Sequence, residues 1–243
     1  MSHMSSTRSK IFIFDMLNSE DLQEASKDFR YLLNRGYPRK AALELVGNRY
    51  GLIFDQRQLL HRGVFSDADS KSRMKKKIHI KRVFHKDFAI DGYNVIITLE
   101  AGLSDRPLIF GDDGFIRDIS GLSGNFKKNE KTEEALQLIF DVLKEMKPHQ
   151  TLFLFDSPIS MSGKLAQEVR ERLKMEDLPG DAMAVKVPEK ILIGFSGIIA
   201  TSDTSIIDQS PKVVDLAGYI LSQRLKLKSL LRWRRKGGPS GRQ

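Results

Sequence analysis

The spacing of apolar residues separates an N-terminal helical part from a C-terminal part in which strands and helices alternate. Over residues 18–66, apolar positions recur at helical spacing in three stretches, with Asn18 as the first cap and Gly36 and Gly51 as stops. The pattern predicts a small three-helix unit that resembles a helix-turn-helix. Because three-helix packing is common, a packing role or an RNA-backbone role competes with DNA reading.

Beyond residue 81 the apolar runs shorten to strand length and alternate with amphipathic helical stretches. A hairpin is predicted over residues 107–119, with its turn at Asp112, Asp113 and Gly114. The other strands are predicted at residues 88–90, 151–155, 184–187, 198–200 and 213–214. This alternation predicts an α/β fold, in which a three-layer domain with a mostly parallel sheet follows a small all-helical domain.

Charge and composition set the predicted boundaries between these parts. Residues 67–81 read DADSKSRMKKKIHIK, which suits a linker or an exposed edge. Residues 1–4 are expected to be an expression remnant, with native sequence beginning near Ser5. The predicted organisation is a tag and N-terminal segment at 1–17, a helical domain at 18–66, a basic linker at 67–81, an α/β domain at 82–227 and a basic C-terminal tail at 228–243.

The overall composition narrows the class of protein. Hydrophobic residues make up 40% of the chain and charged residues 29%, which is typical of a folded globular protein. No apolar run approaches the roughly 20 residues that span a bilayer, so no membrane association is expected. The chain has no cysteine, which excludes disulfides and favours a cytoplasmic protein. The histidines lack zinc-site spacing, and no phosphate-binding P-loop is present.

The chain is basic, with 40 Lys and Arg residues against 31 Asp and Glu, a net charge of +9 and a pI near 9.6. This balance favours a polyanionic partner, and the expected one is RNA, free or within the ribosome. Basic residues cluster at 71–86, 127–131 and 224–242. The side chains expected to bind nucleic acid are Lys75, Lys76, Lys77, Arg117, Arg232, Arg234 and Arg235.

Three of the predicted strands end in an aspartate: Asp91, Asp156 and Asp203. The carboxyl ends of parallel strands share one edge of a sheet, which is where α/β proteins bind ligands. Three carboxylates there repel one another unless a cation offsets their charge, and Mg²⁺ or Mn²⁺ is the hard cation that oxygen ligands suit. Such an ion supports phosphodiester hydrolysis. Alternatively, each aspartate simply caps the helix that follows its strand.

Three short motifs around these aspartates resemble the NYN domains, which are relatives of the PIN nucleases. Residues 90–94 read IDGYN, like the family's D-G-[YF]-N opening, while FLFD at 153–156 and ATSD at 200–203 resemble its other two strand ends. The resemblance implies a PIN/NYN-like fold and metal-dependent cleavage of RNA. It also implies that Asp91, Asp156 and Asp203 are metal ligands and that Asn94 orients the site.

A wider resemblance extends over nearly the whole chain. Residues 32–52, together with IDGYN and the stretch GDDGFIRDISG at 111–121, resemble an archaeal family of uncharacterised proteins, domain-of-unknown-function family four-three-four. This family implies no activity. The hairpin that ends in Arg117 and Asp118 takes the place where a PIN domain has a helical glutamate, so the fourth acid is open.

The candidates for the fourth acid are Asp208 and Asp118, ahead of Asp113 and Glu100. Arg117 either grips the scissile phosphate or forms a structural pair with an aspartate. The function expected from the sequence is that of a metal-dependent ribonuclease. The alternative is a non-catalytic RNA-binding or ribosome-associated protein on the same fold, and a DNA-binding regulator rests on the helical unit alone.

Overall fold

The computed structural model describes residues 19–119, 126–224 and 230–233. In chain order its α-helices are α1 (Glu20–Asn34), α2 (Arg39–Arg49), α3 (Phe54–Gly63), α4 (Asp67–Lys76), α5 (Gly92–Leu103), α6 (Glu130–Met146), α7 (Ser162–Met175), α8 (Pro188–Ile193), α9 (Thr204–Gln209) and α10 (Leu216–Arg224). The strands are β1 (Asp87–Asp91), β2 (Leu108–Phe110), β3 (Ile116–Asp118), β4 (Gln150–Asp156), β5 (Gly180–Val185), β6 (Ile198–Ala200), β7 (Val213–Val214) and β8 (Leu230–Arg232). A 3₁₀ turn, Ile80–Val83, precedes β1.

Two compact units make up the described chain, and they do not follow chain order. The first takes the described residues within Met1–Lys71, Pro107–Ser120 and Ser229–Gln243, and the second those within Ser72–Arg106 and Gly121–Lys228. The hairpin β2–β3 therefore groups with the N-terminal helices, whereas the sequence assigned it to the α/β domain. Likewise β8 lies in the stretch expected to be only a basic tail.

The first unit packs α1, α2 and α3 with a three-stranded sheet of order β3-β2-β8. The Ser19 hydroxyl caps α1 by accepting a hydrogen bond from the Leu22 N–H at 3.3 Å, while the expected cap, Asn18, lies outside the described residues. Gly36 follows α1 at φ +80°, a conformation that favours glycine. The core is apolar and shared between helices and strands: Leu22, Phe29, Leu59, Leu60, Val64, Ile109 and Leu231.

The predicted linker is largely helical. In α4, Asp67 and Asp69 occupy the first turn and basic residues the last, an order that complements the helix dipole. The Ser66 hydroxyl accepts a hydrogen bond from the Asp69 N–H at 3.0 Å, as at a helix cap. Composition indicated a linker, but the order of the charges along residues 67–76 stabilises a helix. The division between the units falls within α4, after Lys71.

A buried ion pair holds the hairpin of the first unit. The Arg117 guanidinium donates to both carboxylate oxygens of Asp113, at 2.8 and 2.7 Å, and Asp113 is 0% exposed. The Arg117 guanidinium also lies over the Phe65 and Phe115 rings. The sequence left two roles open for Arg117, a grip on a phosphate and a structural pair with an aspartate. The contacts with Asp113 correspond to the structural pair.

The second unit is built on five parallel strands in the order β5-β4-β1-β6-β7. Phe88, Ala89 and Ile90 of the central strand β1 are all fully buried, as expected for a strand covered on both faces. Helices α5, α6 and α10 pack on one another, and α7 packs on β4 and β5. The prediction of an α/β chain with a mostly parallel sheet and N-terminal helices is confirmed. Within the described ranges, no helix has the length and apolar character needed to cross a membrane.

The Arg117 pair yields a prediction about stability. Replacing Arg117 with Met should lower the free energy of unfolding of the first unit by about 3–5 kcal/mol, because it leaves a buried carboxylate without its cation. The chain's one tryptophan, Trp233, packs on this unit's core, so its fluorescence during urea unfolding reports the change.

The matched control for this prediction is Arg49→Met, which removes an arginine from the exposed pair with Asp28 and should cost less than about 1 kcal/mol. RNA affinity should be the same in Arg117→Met as in wild type at temperatures where both are folded. A stable Arg117→Met variant with weakened RNA binding would instead support the phosphate-binding role.

Candidate active site

The strand order reverses at β1, and this reversal locates the candidate site. From β1 the chain proceeds to β4 and β5 on one side, then returns to β6 and β7 on the other. Ligands of open α/β sheets bind in the crevice outside the carboxyl ends of the strands at such a point. Asp91 ends β1, Asp156 ends β4 and Asp203 follows β6, so the parallel pairing brings all three to this edge.

Asp91 is buried, with 8% of its surface exposed, and its only described side-chain hydrogen bond comes from a hydroxyl. The Thr201 hydroxyl donates to Asp91 Oδ2 at 2.8 Å and accepts from the Asp203 N–H at 3.0 Å. The glycine after Asp91 is needed for packing, since a Cβ on Gly92 would lie 2.9 Å from the backbone oxygen of Leu154. These contacts hold the ends of β1, β4 and β6 together.

The electrostatic environment of Asp91 disfavours its charge. Burial, together with the negative charges of Asp203, Asp156 and Glu189, raises the pKa of Asp91 from 3.8 to about 7, while the hydrogen bond from Thr201 opposes the increase. The raised pKa reflects several carboxylates gathered in one poorly solvated place. A bound cation would reverse the effect and favour the ionised form.

Asp156 is half-buried and faces a tyrosine. Burial raises the pKa of Asp156, and the charge of Glu189 adds to the increase. Tyr93 is 2% exposed, and burial together with the charge of Asp156 raises the pKa of its phenol to about 12. Among the described residues, the Tyr93 hydroxyl has no hydrogen-bond partner. At this edge, the neutral hydroxyl of Tyr93 is thus a hydrogen-bond donor without a described partner, next to the carboxyl group of Asp156.

Glu189 is the acid that sequence reasoning missed. It lies in the first turn of α8, behind Pro188, and α8 follows β5 at the same edge of the sheet. Proline suits the first turn of a helix and an acid there is favoured by the helix dipole. The three aspartates were chosen from the sequence because each ends an apolar run. Glu189 does not fit that criterion, because it stands four residues after β5 ends. Its effect on the pKa of Asp91 and Asp156 makes it the fourth acid of the edge.

Asp203 has a structural role at the same time. Its Oδ1 accepts hydrogen bonds from the Ser205 N–H at 2.7 Å and the Ile206 N–H at 3.4 Å, which caps α9. Asn94 Oδ1 accepts from the Ser202 N–H at 2.8 Å and joins the start of α5 to the end of β6. The capping alternative raised from the sequence therefore applies to Asp203, whose exposed carboxylate also acts on the pKa of Asp91.

The two acids favoured from the sequence as a fourth member both pair with arginines. Asp208 accepts two hydrogen bonds from Arg73, at 2.7 and 2.8 Å, across 135 positions of sequence. Asp118 belongs to the first unit and lies 3.6 Å from the Arg62 guanidinium. These carboxylates therefore have structural partners, and a catalytic role for them stays a prediction.

Two of the three lysines predicted to bind RNA also have structural partners. Lys76 donates to the Ile207 carbonyl at 3.0 Å, and Lys77 lies 3.1 Å from the carboxylate of Asp215. Lys75 is exposed. In the first unit, the exposed Arg232 lies over the Phe110 ring at 4.3 Å, while Arg234 and Arg235 lie outside the described residues.

The carboxylates were expected to lie close enough to share one cation. Across residues 19–119, 126–224 and 230–233, no three His, Asp or Glu side chains form a group that holds a metal ion directly. The donor set nevertheless suits Mg²⁺ or Mn²⁺ in kind, since it consists of carboxylates whose mutual repulsion a cation relieves. Mg²⁺ usually keeps several waters and binds proteins through only one or two carboxylates, so a tight cage is not required.

Comparison with known proteins identifies a family without an assigned activity. Residues 80–219 match the family described as Domain of unknown function (DUF5616), and residues 21–76 match the one described as Protein of unknown function (DUF434). The chain is 34% identical over 197 residues to Uncharacterized protein MJ0935 of Methanocaldococcus jannaschii, a match that covers 80% of this chain and 94% of that protein. No solved structure matches the chain.

The first of these matches spans more than half of the chain, which therefore belongs to the DUF5616 family. The predicted resemblance to family four-three-four is confirmed for the N-terminal helices alone, since the second match ends at residue 76.

The environment of Asp91 predicts a pH-dependent effect on stability. In metal-free buffer, the folded protein holds the Asp91 proton up to a pKa of about 7, whereas the unfolded chain releases it near 3.8. The favourable contribution of this carboxyl group is thus complete below about pH 4 and is lost as pH rises toward 7. Asp91→Asn should therefore raise the free energy of unfolding at pH 8 by on the order of 4 kcal/mol, since one pKa unit is worth about 1.4 kcal/mol.

Chemical unfolding of both proteins from pH 4 to pH 8 measures this difference. The matched control is Asp177→Asn, at an exposed position with φ 53°, a conformation that asparagine tolerates, and it should follow the wild type. Equal pH dependence in wild type and Asp91→Asn would show that Asp91 is not strained at this edge.

Proposed function

We propose that this chain is a metal-dependent ribonuclease that hydrolyses RNA phosphodiester bonds with an aspartate-bound Mg²⁺ or Mn²⁺. The observation that carries the proposal is the gathering of Asp91, Asp156, Asp203 and Glu189 at the switch-point edge, where burial and mutual repulsion raise the pKa of Asp91 to about 7. Unfavourable ionisation of this kind, concentrated in the crevice of an α/β sheet, is typical of functional sites.

The metal would be held by Asp91 and Asp156, with Asp203 or Glu189 reached directly or through water. When bound, the ion supplies charge that polarises the phosphate and lowers the pKa of an attacking water. Asp91 fits the part of an anchor because the Thr201 hydroxyl fixes one of its oxygens and leaves the other without a described hydrogen bond. The hydrogen bond from the Ser202 N–H to Asn94 would hold the end of β6 next to the start of α5.

The proposed reaction adds water across one P–O ester bond. The water oxygen bonds to phosphorus as the ester bond breaks, and one water proton passes first to a carboxylate and finally to the leaving oxygen. We assign the proton-accepting role to Glu189, because it is half-buried beside the two aspartates and makes no described hydrogen bond or ion pair. RNA as the substrate rests on the net charge of +9 and on the resemblance to NYN domains.

A non-catalytic RNA-binding or ribosome-associated protein is the second candidate, and two observations favour it. The Asp203 carboxylate caps α9, and Asn94 ties two elements together, so both residues have structural reasons to be present. The described acids also do not form a ready three-ligand group. On this alternative, the edge would bind RNA or a partner without chemistry.

Cleavage assays separate the two candidates. The purified protein with Mn²⁺ or Mg²⁺ should cleave single-stranded RNA, and chelation should stop the cleavage. Asp91→Asn should abolish turnover, because it removes the buried negative charge that holds the metal, and RNA binding should survive or strengthen as repulsion of phosphate falls. Glu189→Gln should lower the rate by about 100-fold if Glu189 moves a proton.

The control variant is again Asp177→Asn, which removes an exposed negative charge before the start of β5, the end of that strand opposite the carboxyl edge, and should cleave at the wild-type rate. If the wild type binds a broad panel of RNAs and leaves them intact with either metal, the binding-protein alternative replaces the ribonuclease. The same conclusion follows if Asp91→Asn cleaves as fast as wild type.

A further inference from the structure

Next to Asp156, the second unit contains a cleft of about 550 Å³ that no proposed catalytic role uses. Its lining includes one buried phenol, three lysines, one glutamate and three apolar side chains, among them Tyr93, Lys127, Lys164 and Phe126. The volume lies within the roughly 300–1,000 Å³ of typical ligand pockets. The Tyr93 ring lies 5.3 Å from the ring of Phe155, the residue before Asp156, so the cleft lies beside the carboxylate edge.

The hydroxyl of Tyr93 points to a ligand. It is buried and has no hydrogen-bond partner among the described residues, and the Tyr93 side chain that carries it lines the cleft. A buried polar group without a partner costs about 1–3 kcal/mol, so such groups are rare in folded proteins. A phenol is protonated at neutral pH and therefore able to donate. A phosphate or ribose oxygen in the cleft would satisfy it.

Two of the three lysines add positive charge that the fold itself does not use. Lys127 and Lys164 are exposed, and in the described part of the chain neither ammonium forms an ion pair, whereas their neighbour Lys128 pairs with Glu133 and Glu168. Lys164 lies in the first turn of α7, which has no side-chain cap and no acid in that turn. The start of such a helix favours an anion.

An apolar wall completes the cleft on the side of Met161, which is 63% exposed and takes a left-handed conformation, φ 66°, that is uncommon for methionine. Phe126 is shared with a second cleft of about 330 Å³, whose lining also includes Lys127, Lys131 and Arg106. The phenyl ring thus stands between two adjoining clefts that share Lys127, while the other two cations of the second cleft, Arg106 and Lys131, pair with Glu100 and Glu134. Aromatic rings in this position stack on successive bases of single-stranded nucleic acids.

We infer that the Tyr93 cleft is the binding subsite for the nucleotide next to the scissile phosphodiester of single-stranded RNA. In this subsite Lys127 and Lys164 bind the phosphate, the Tyr93 hydroxyl donates to an oxygen of the same nucleotide, and Phe126 contacts the base. The inference rests on the proposed function and names the form of its substrate. A concave cleft accepts an unstacked base, and only a single strand offers one without breaking base pairs.

Equilibrium binding tests the subsite without chemistry. A fluorescently labelled single-stranded RNA oligonucleotide is titrated with protein in EDTA, where cleavage cannot occur, at several salt concentrations. Changing both lysines, Lys127→Ala with Lys164→Ala, should weaken binding about tenfold or more, and should lower the slope of log Kd against log salt by about 0.7 for each lost phosphate contact. Tyr93→Phe should weaken binding severalfold with the slope unchanged.

The control pair is Lys86→Ala with Lys212→Ala. These two exposed lysines line another basic cleft, which lies at the start of β1, and the edge carrying the acids is at that strand's other end. Affinity and salt slope should stay at the wild-type values in the control. Equal losses in both double variants would show that charge alone matters and would overturn the subsite, as would wild-type binding by the Lys127 and Lys164 variant or equal affinity for single-stranded and duplex RNA.

The same proteins separate this inference from the ribonuclease proposal. If the cleft variants lose affinity while the wild type cleaves no RNA with either metal, the subsite stands and the ribonuclease fails. If the wild type cleaves RNA and the cleft variants bind and cleave like it, the ribonuclease stands and the subsite fails. A wild type that binds no single-stranded RNA overturns both.

Discussion

Negative charge that the fold does not neutralise is the constraint on which the second unit depends. The other buried acids of the described chain each have a cation within 4.0 Å: Glu100 with Arg106, Asp113 with Arg117, Asp118 with Arg62 and Asp215 with Lys77. In the same ranges Asp91 has only the Thr201 hydroxyl. Because an unpaired buried carboxylate is costly, Asp91 keeps its proton up to a pKa of about 7.

The parallel sheet explains why the acids meet and what holds them there. Parallel pairing places the carboxyl ends of β1, β4 and β6 at one edge, and the reversal of strand order opens a crevice between them. Hydroxyl and amide groups then cross-link the edge: Thr201 joins Asp91 to Asp203, and Asn94 joins α5 to Ser202. These neutral groups fix the geometry without supplying charge, so they leave the negative charge of the edge uncompensated.

The sequence predicted the features that depend on interactions between residues close together in the chain. The alternation of strands and helices, the hairpin and the aspartates that end β1 and β4 all follow from apolar runs and the residues that close them. Long-range contacts were not predictable. Arg30 donates to Asp112 across 82 positions, within the unit that joins the hairpin to the N-terminal helices, and Arg73 pairs with Asp208 across 135 positions. Glu189 was missed because it follows a proline on a short helix.

Long-range contacts also explain why the net charge overstates the positive charge that the protein offers to a ligand. Arg73, Arg117 and Lys77 are each held by a carboxylate, so their contribution to a basic run in the sequence gives little positive charge to a ligand. The lysines that keep their charge available, Lys127 and Lys164, stand beside the acids. A phosphate approaching the edge is repelled by the carboxylates and attracted by the adjacent lysines, so the proposed binding role of the cleft and the proposed catalytic role of the acids are separable by substitution.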